Sequence, residues 1–300
     1  MPSQQPKSKV VLVTGAAGGI GLSIAHALLA TDHRLVLTAR AASLPRFAEA
    51  GIAENERVRL RALDLLVPEE ADSLVAEIQR DWGGVDVLIN NAGICYRAVI
   101  EHLTDRDEQH QFAVNFFGAM HLTRLVLPGM RRRRRGHIIN LSSVGGMMAM
   151  PTMGAYSASK FALEGASEAL WYEMRPWGVS VSLVEPGFVR SSSFENALFT
   201  EKSRAAYADP KRVYHPYYAN MIGMIAKLMY GSFTTPEHIA RRIVRLINRR
   251  HPPLRVAVTF DAHLFDLMRR LLPKRLYHRI LWWGLPHHRD WTTPGEDPKI

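Results

Sequence analysis

The chain has 300 residues, 47% of them hydrophobic, and a single cysteine, Cys95. This is enough apolar material for one large core, and it excludes a disulfide-stapled scaffold, because one thiol cannot close an intramolecular bridge. The formal net charge is +10 at pH 7, but Arg241 to Asp290 alone holds twelve Lys/Arg against three Asp/Glu, a net of +9, so the basic excess belongs to the C-terminal part. Met1 to Pro6 is polar, without the apolar centre of a signal peptide, and no apolar run is long enough to span a bilayer; a cytoplasmic protein is expected. No metal site is expected.

In chain order, Lys9 to Val13 is a short continuous apolar run of the kind a buried parallel strand needs. The glycine-rich turn Thr14-Gly15-Ala16-Ala17-Gly18-Gly19-Ile20-Gly21 follows, before a helix expected from about Leu22 with Ile24, Leu28 and Leu29 on its apolar face. Small residues there let the backbone turn tightly and approach a pyrophosphate, whose charge meets the helix N-terminus. The second run, Arg34 to Thr38, ends at Arg40, where an NAD enzyme would carry a ribose-reading acid. An arginine can pair with a 2′-phosphate, so NADP(H) is favoured over NAD(H); an ordinary solvated arginine is the alternative. Further strands are expected at Arg57 to Leu63, Val85 to Ile89, His137 to Leu141, Val179 to Val184 and Leu254 to Thr259. Their alternation with helical segments predicts an α/β, Rossmann-type, doubly wound parallel sheet of seven strands with helices on both faces.

Phe112, Asn115, Phe116, Ala119, Leu122 and Thr123 have helical periodicity, and an inward amide at Asn115 is costly unless hydrogen-bonded. Arg131 to Arg135 end that helix, where cations complement its dipole; this reading is preferred to nucleic-acid binding. Tyr156 and Lys160 stand one helical turn apart, thirteen residues after Ser143. An ammonium on the same helix face favours the tyrosinate and should lower the phenol from its usual pKa of about 10, making it a general acid/base. Alone, the pair also reads as a solvated surface contact.

With Asn90-Asn91-Ala92-Gly93, Asn115 in Val114 to Gly118, Ser143 in Asn140 to Ser143, and Pro186-Gly187 added, the chain from about Lys9 to Phe260 resembles the short-chain dehydrogenase/reductase family. The resemblance implies that Tyr156 moves the proton on the substrate oxygen while Ser143 hydrogen-bonds that oxygen. Lys160 would lower the Tyr156 pKa and bond the nicotinamide ribose, and Asn115 would anchor a water linking Lys160 to solvent. Thr14, Gly15, Ala17, Gly19, Ile20 and Gly21 would hold the pyrophosphate and Arg40 the 2′-phosphate. Asp64 would accept from the adenine amino group beside Leu65, helix capping being its alternative. Asn91, Ala92 and Gly93 would line the adenosine ribose, and Pro186, Gly187, Val189 and Ser191 the nicotinamide, Ser191 standing where threonine is common.

Residues 1–260 are expected to form a single catalytic domain, with a substrate lid at about 191–235. That lid holds Phe194, Leu198, Phe199, Tyr207, Tyr214, Tyr217, Tyr218, Met221, Met224, Met229 and Tyr230, facing Met147, Met148, Met150 and Met153 on the loop before Tyr156. A large apolar pocket is expected, for a bulky ketone or aldehyde reduced with NADPH; Cys95, just after Gly93-Ile94, is read as a buried inert thiol, bordering the active site being the alternative. The alternative is a catalytically silent dinucleotide-binding regulator. Residues 261–300 form a basic helical extension, loosely like that of the hydroxysteroid and retinol dehydrogenase branch. Leu264, Leu267, Met268, Leu271 and Leu272 share one face of a helix ended by Pro273, and Trp282 and Trp283 follow among cations. It either lies on an anionic membrane surface or packs over the cleft or a partner subunit. The resemblance also implies a homodimer or homotetramer through the helices carrying Asn115 and Tyr156.

Overall fold

The computed structural model describes residues 8–191 and 196–292; Met1 to Pro6 and Phe194 lie outside them. Strands β1 (Val10–Val13), β2 (Arg34–Ala39), β3 (Val58–Ala62), β4 (Val87–Asn90), β5 (Gly136–Leu141), β6 (Val179–Glu185) and β7 (Arg255–Ala257) form one sheet. Every neighbouring pair is parallel, in the order β3-β2-β1-β4-β5-β6-β7. All seven expected strands are present; β1 ends at Val13, β2 starts at Arg34, β5 ends at Leu141 and β6 starts at Val179 as expected, other ends shift by a residue or two, and β7 is trimmed most, at this sheet edge.

All four residues of β1 are buried, as its unbroken apolar run requires. Alternation sends Val11 and Val13 into the layer built by α1 (Gly19–Leu29) and α9 (Pro236–Ile247), and Val10 and Leu12 into the opposite layer. The opposite layer holds α3 (Pro68–Trp82), α5 (Ala119–Arg133) and part of α6 (Gly154–Met174). Because β1 pairs with both β2 and β4, the strand order reverses beside it, and the loops after β1 and β4 open a crevice at the strands' carboxyl ends. Helix α1 starts at Gly19, earlier than expected, since the second half of the glycine turn is already helical.

The expected long helix is interrupted. Helix α4 (Asp105–Phe112) runs into a π-helical turn, Ala113–Gly118, which runs into α5. The arginine run closes α5 and is used locally: Arg133 donates to Gly83 O (3.0 Å) and Val85 O (2.7 Å), and Arg131 and Arg134 stand over the Trp177 ring. Beyond β6, the lid contains α7 (Glu201–Ala208) and α8 (His215–Tyr230), and the C-terminal segment contains α10 (Phe260–Leu271) and α11 (Lys274–Trp283). No helix among the described residues is long and apolar enough to cross a membrane.

Candidate active site

The turn after β1 is shaped for a phosphate. Gly15 and Gly19 take left-handed backbone angles (φ +65° and +51°). A Cβ on Gly15 would sit 2.9 Å from Ala92 Cα, whereas one on Gly19 would meet no atom within 4 Å, so the loop is closed against the next strand's loop and open above. Helix α1 carries neither a side-chain cap nor an acid in its first turn, leaving its amide donors for an anion. Thr14 Oγ1 accepts from the Asn91 and Ala92 amides at 3.0 Å, and Asn91 Nδ2 donates to the Thr14 and Gly15 carbonyls. A Cβ on Gly21 would fall 2.5 Å from that Asn91 amide nitrogen. Ala17 and Ile20 pack into the core below. These residues fit a dinucleotide pyrophosphate.

Arg40 is exposed at the end of β2. Arg46 is a second cation there, its Nη1 3.8 Å from the position of a Gly18 Cβ; the sequence reading passed over it. Asp64 Oδ1 accepts from Leu66 N, so one carboxylate oxygen closes a local turn. Leu65 lies against Gly118 of the π turn.

Ser143, Tyr156, Lys160 and Asn115 converge. Ser143, following β5, accepts from Gly145 N at 3.0 Å, and its hydroxyl is close enough to the Tyr156 phenol to lower that group's proton affinity. Ser142 instead donates to Glu164 at 2.7 Å and points away, which separates the two serines. Gly145 is required here: a Cβ would stand 2.9 Å from the Tyr156 ring. Lys160 is buried, donates to Leu141 O at 2.7 Å and stands 5.9 Å from the Tyr156 ring centroid. Asn115 Oδ1 accepts from Ile94 N at 2.8 Å, and its amide donates to Ile94 O and Ser159 Oγ. A Cβ on Gly93 would lie 3.3 Å from Asn115 Oδ1 and 3.8 Å from Lys160 Nζ, so this glycine lets both approach. The π turn aims Asn115 at this point, a usual place for such turns.

One expectation is corrected. Burial pushes the Tyr156 phenol up to about 12, outweighing the lowering by the Ser143 hydroxyl and the Arg97 charge. Lys160 is itself desolvated, down to about 8, despite the raising influence of Cys95 and Glu164. The phenol therefore keeps its proton at neutral pH.

Pro186 O accepts from Val144 N, Gly187 N donates to Thr259, and Phe188 N donates to Asp261, pinning the loop after β6 to the start of α10. Val189 is buried, and Ser191 follows within hydrogen-bond reach of its carbonyl. Over Tyr156 lies an apolar cluster in which Met153, Met150, Cys95 and Phe188 meet Tyr217, Met221, Met224 and Met229 of the lid helix α8. Burial pushes the Cys95 thiol up to about 11, so it stays protonated. Met147 does not face the lid: it packs with Val144 against Ala262 and Phe265 of α10. Tyr207 and Tyr230 are exposed, so part of the lid's aromatic content serves its own packing or its surface. The extension covers the lid, with buried Trp291 4.5 Å from the Tyr217 ring.

Two features escaped the sequence reading. Arg255 joins Glu164 (2.5 Å), Glu185 (2.9 Å) and Glu168 (3.0 Å) below the site. Arg97 is buried, and its charge lowers the proton affinity of both Tyr156 and Cys95; an arginine inside the apolar stretch Ile94 to Ile100 was the available signal.

Residues 9–202 match the short chain dehydrogenase family model. The chain is 34% identical over 253 residues to 3-ketodihydrosphingosine reductase of Bacteroides thetaiotaomicron, covering 83% of this chain and 87% of the relative. It is 36% identical over 256 residues to human retinol dehydrogenase 8, with coverages of 82% and 80%. Among solved structures, a short-chain dehydrogenase from Streptomyces avermitilis superposes with a TM-score of 0.77 at 33% identity, covering 93% of this chain and 97% of the other. A metagenomic short-chain oxidoreductase in complex with NADP superposes with a TM-score of 0.64 at 28% identity, with coverages of 83% and 96%. The chain belongs to the short-chain dehydrogenase/reductase family and is an NAD(P)-dependent oxidoreductase.

Proposed function

We propose that this protein is an NADP(H)-dependent reductase of a bulky, largely apolar ketone or aldehyde, with Tyr156 as general acid. The convergence of Ser143, Tyr156 and Lys160 beneath the methionine-rich lid carries this reading. Bound nicotinamide supplies the hydride. Ser143 and Tyr156 hydrogen-bond the substrate oxygen, and Tyr156 gives it the phenolic proton as negative charge develops there. A phenol near 12 is protonated when needed and is still far more acidic than water, at about 15.7. Lys160 holds positive charge nearby, and the lid cluster excludes water. Thr14, Gly15, Gly19 and Gly21 hold the pyrophosphate; Arg40, with Arg46 beside the loop, favours the 2′-phosphate. Asp64, Leu65 and Asn91 to Gly93 serve the adenosine end, and Pro186 to Ser191 the nicotinamide end.

The lid chemistry supports an apolar substrate, as do the ketodihydrosphingosine and retinol in the names of the two relatives, both molecules with long apolar chains. Residues 1–260 act as the catalytic domain and 261–300 as an extension, of which 261–292 roof the lid and present a basic apolar face outward. Phe117, Phe161 and Tyr172 are exposed on the π turn and α6, and we assign a homodimer contact to this face.

The test is steady-state turnover with NADPH and NADH against long-chain, steroid, retinoid and aromatic carbonyls. Reduction is expected to prefer NADPH and to fall by about 10²–10⁴ in Tyr156→Phe. Arg40→Ala should raise KM for NADPH about tenfold and leave NADH unchanged. Tight NADPH binding with no turnover on any carbonyl would establish the silent regulator instead.

A further inference from the structure

The proposed chemistry leaves Arg97 without a task. Its residue is 5% exposed, yet Nη1 has no hydrogen-bond partner. No carboxylate among the described residues forms an ion pair with it. Arginine cannot relieve such burial by losing a proton, as Lys160 can, so a buried guanidinium calls for an anion. The ionisable groups that feel its charge do not supply one: burial holds the Cys95 thiol up at about 11 and the Tyr156 phenol up at about 12, both neutral at neutral pH.

The position of Arg97 is fixed by backbone on both sides. Its own N–H donates to Leu198 O of the lid segment at 2.7 Å, and the next amide, Ala98 N, donates to Thr152 O at 2.9 Å, four residues before Tyr156. Val99 N then donates to the Tyr218 hydroxyl of α8 at 3.1 Å. Arg97 thus lies between the lid segment and the loop that leads to Tyr156. Thr152, on the segment paired with it, is a second orphan: 2% exposed, Oγ1 without a partner, and held at φ +65° despite carrying a branched side chain. Such backbone strain gathers at ligand sites.

We infer that Arg97, with Thr152 beside it, anchors an anionic oxygen group, carboxylate or phosphate, borne on the apolar substrate. The inference rests on the reductase reading for the carbonyl at Tyr156 and deepens it: the substrate is an amphipathic oxo compound with one charged end. A guanidinium binds either anion through paired N–H donors.

The test measures binding, so it does not depend on turnover. Decanoate, decyl phosphate and decanol are titrated calorimetrically into the NADPH-saturated full chain and its Arg97→Met and Arg97→Lys variants. One of the two anions is expected to bind at least tenfold more tightly than decanol to wild type, the better one identifying the group. Arg97→Met should abolish the preference and Arg97→Lys keep part of it. Equal affinity of all three ligands for wild type, which needs no folded variant, overturns the inference, as does a preference that survives in Arg97→Met. Absence of carbonyl turnover would defeat the reductase reading while leaving this result to stand or fall by itself.

Discussion

Lys160 and Tyr156 share a helix face, yet burial moves their proton affinities in opposite senses, the phenol up to about 12 and the ammonium down to about 8. Desolvation disfavours whichever form is charged, so the acid holds its proton more tightly and the base less. In the direction of reduction the consequence is one-sided. Tyr156 remains protonated across the working range, while Lys160 is cationic below about 8 and loses its charge above it. A plot of log kcat/KM for carbonyl reduction against pH is therefore expected to be level on the neutral side and to fall above about 8. A profile level to pH 10 would show that the Lys160 charge takes no part. The Tyr-Lys-Ser spacing was legible because it is local: residues four apart on a helix must share a face. The direction of the phenol's shift was not, because burial by Met153, Phe188 and the lid depends on chain far away in sequence.

Under α6, elements that seem unrelated in sequence meet in one charged knot. Glu164, one turn beyond Lys160, accepts from Ser142 and from Arg255 of β7, and Arg255 also reaches Glu185 at the end of β6. Glu164 and Glu185 are almost fully buried, and burial, with the neighbouring Glu164 charge, pushes the Glu185 carboxyl up to about 7 in spite of the arginine. Removing the arginine would leave two buried carboxyls facing each other. Arg255→Met is expected to destabilise the fold by about 3–5 kcal/mol, the usual loss when one partner of a buried ion pair is deleted. The measurement is denaturant unfolding at neutral pH, with Arg255→Met/Glu185→Gln recovering part of the loss; a cost below about 1 kcal/mol would mean that water already reaches the knot. None of this was visible in the sequence, where Arg255 is an arginine at a strand edge and the three glutamates are scattered. The π turn was hidden for a related reason. Phe112 to Thr123 keeps apolar spacing compatible with a plain helix, and only the backbone pairing of the π turn, Ala113–Gly118, reveals the extra residue that aims Asn115 at Ile94 and Ser159.

Across the whole molecule, the sheet was readable because its central strands are buried on both faces and so appear as unbroken apolar runs, Val10 to Val13 above all. The extension was only half readable: its amphipathic pattern was plain, but not which apolar residues turn inward. The structure divides them. Tyr277 and Trp291 are buried, Trp291 against the lid, while Leu264, Leu267, Leu271, Leu276, Trp282 and Trp283 remain exposed, Leu271 at 70% and Trp283 at 64%. The exposed set lies among Arg269, Arg270, Lys274, Arg275 and Arg279. An apolar face rimmed by cations gains from both burial and charge at an anionic bilayer surface, each cation adding about 1 kcal/mol near it. The same extension that roofs the lid would then rest on the phase in which an amphipathic substrate dissolves. Full-length protein is expected to co-sediment with phosphatidylglycerol vesicles but weakly with phosphatidylcholine, and to be released by high salt. Trp282→Ala/Trp283→Ala should weaken partitioning about tenfold without changing NADPH affinity, because both indoles are substantially exposed and far in sequence from the phosphate loop. Equal sedimentation with both lipids, or none with either, would mean that this face meets protein rather than membrane.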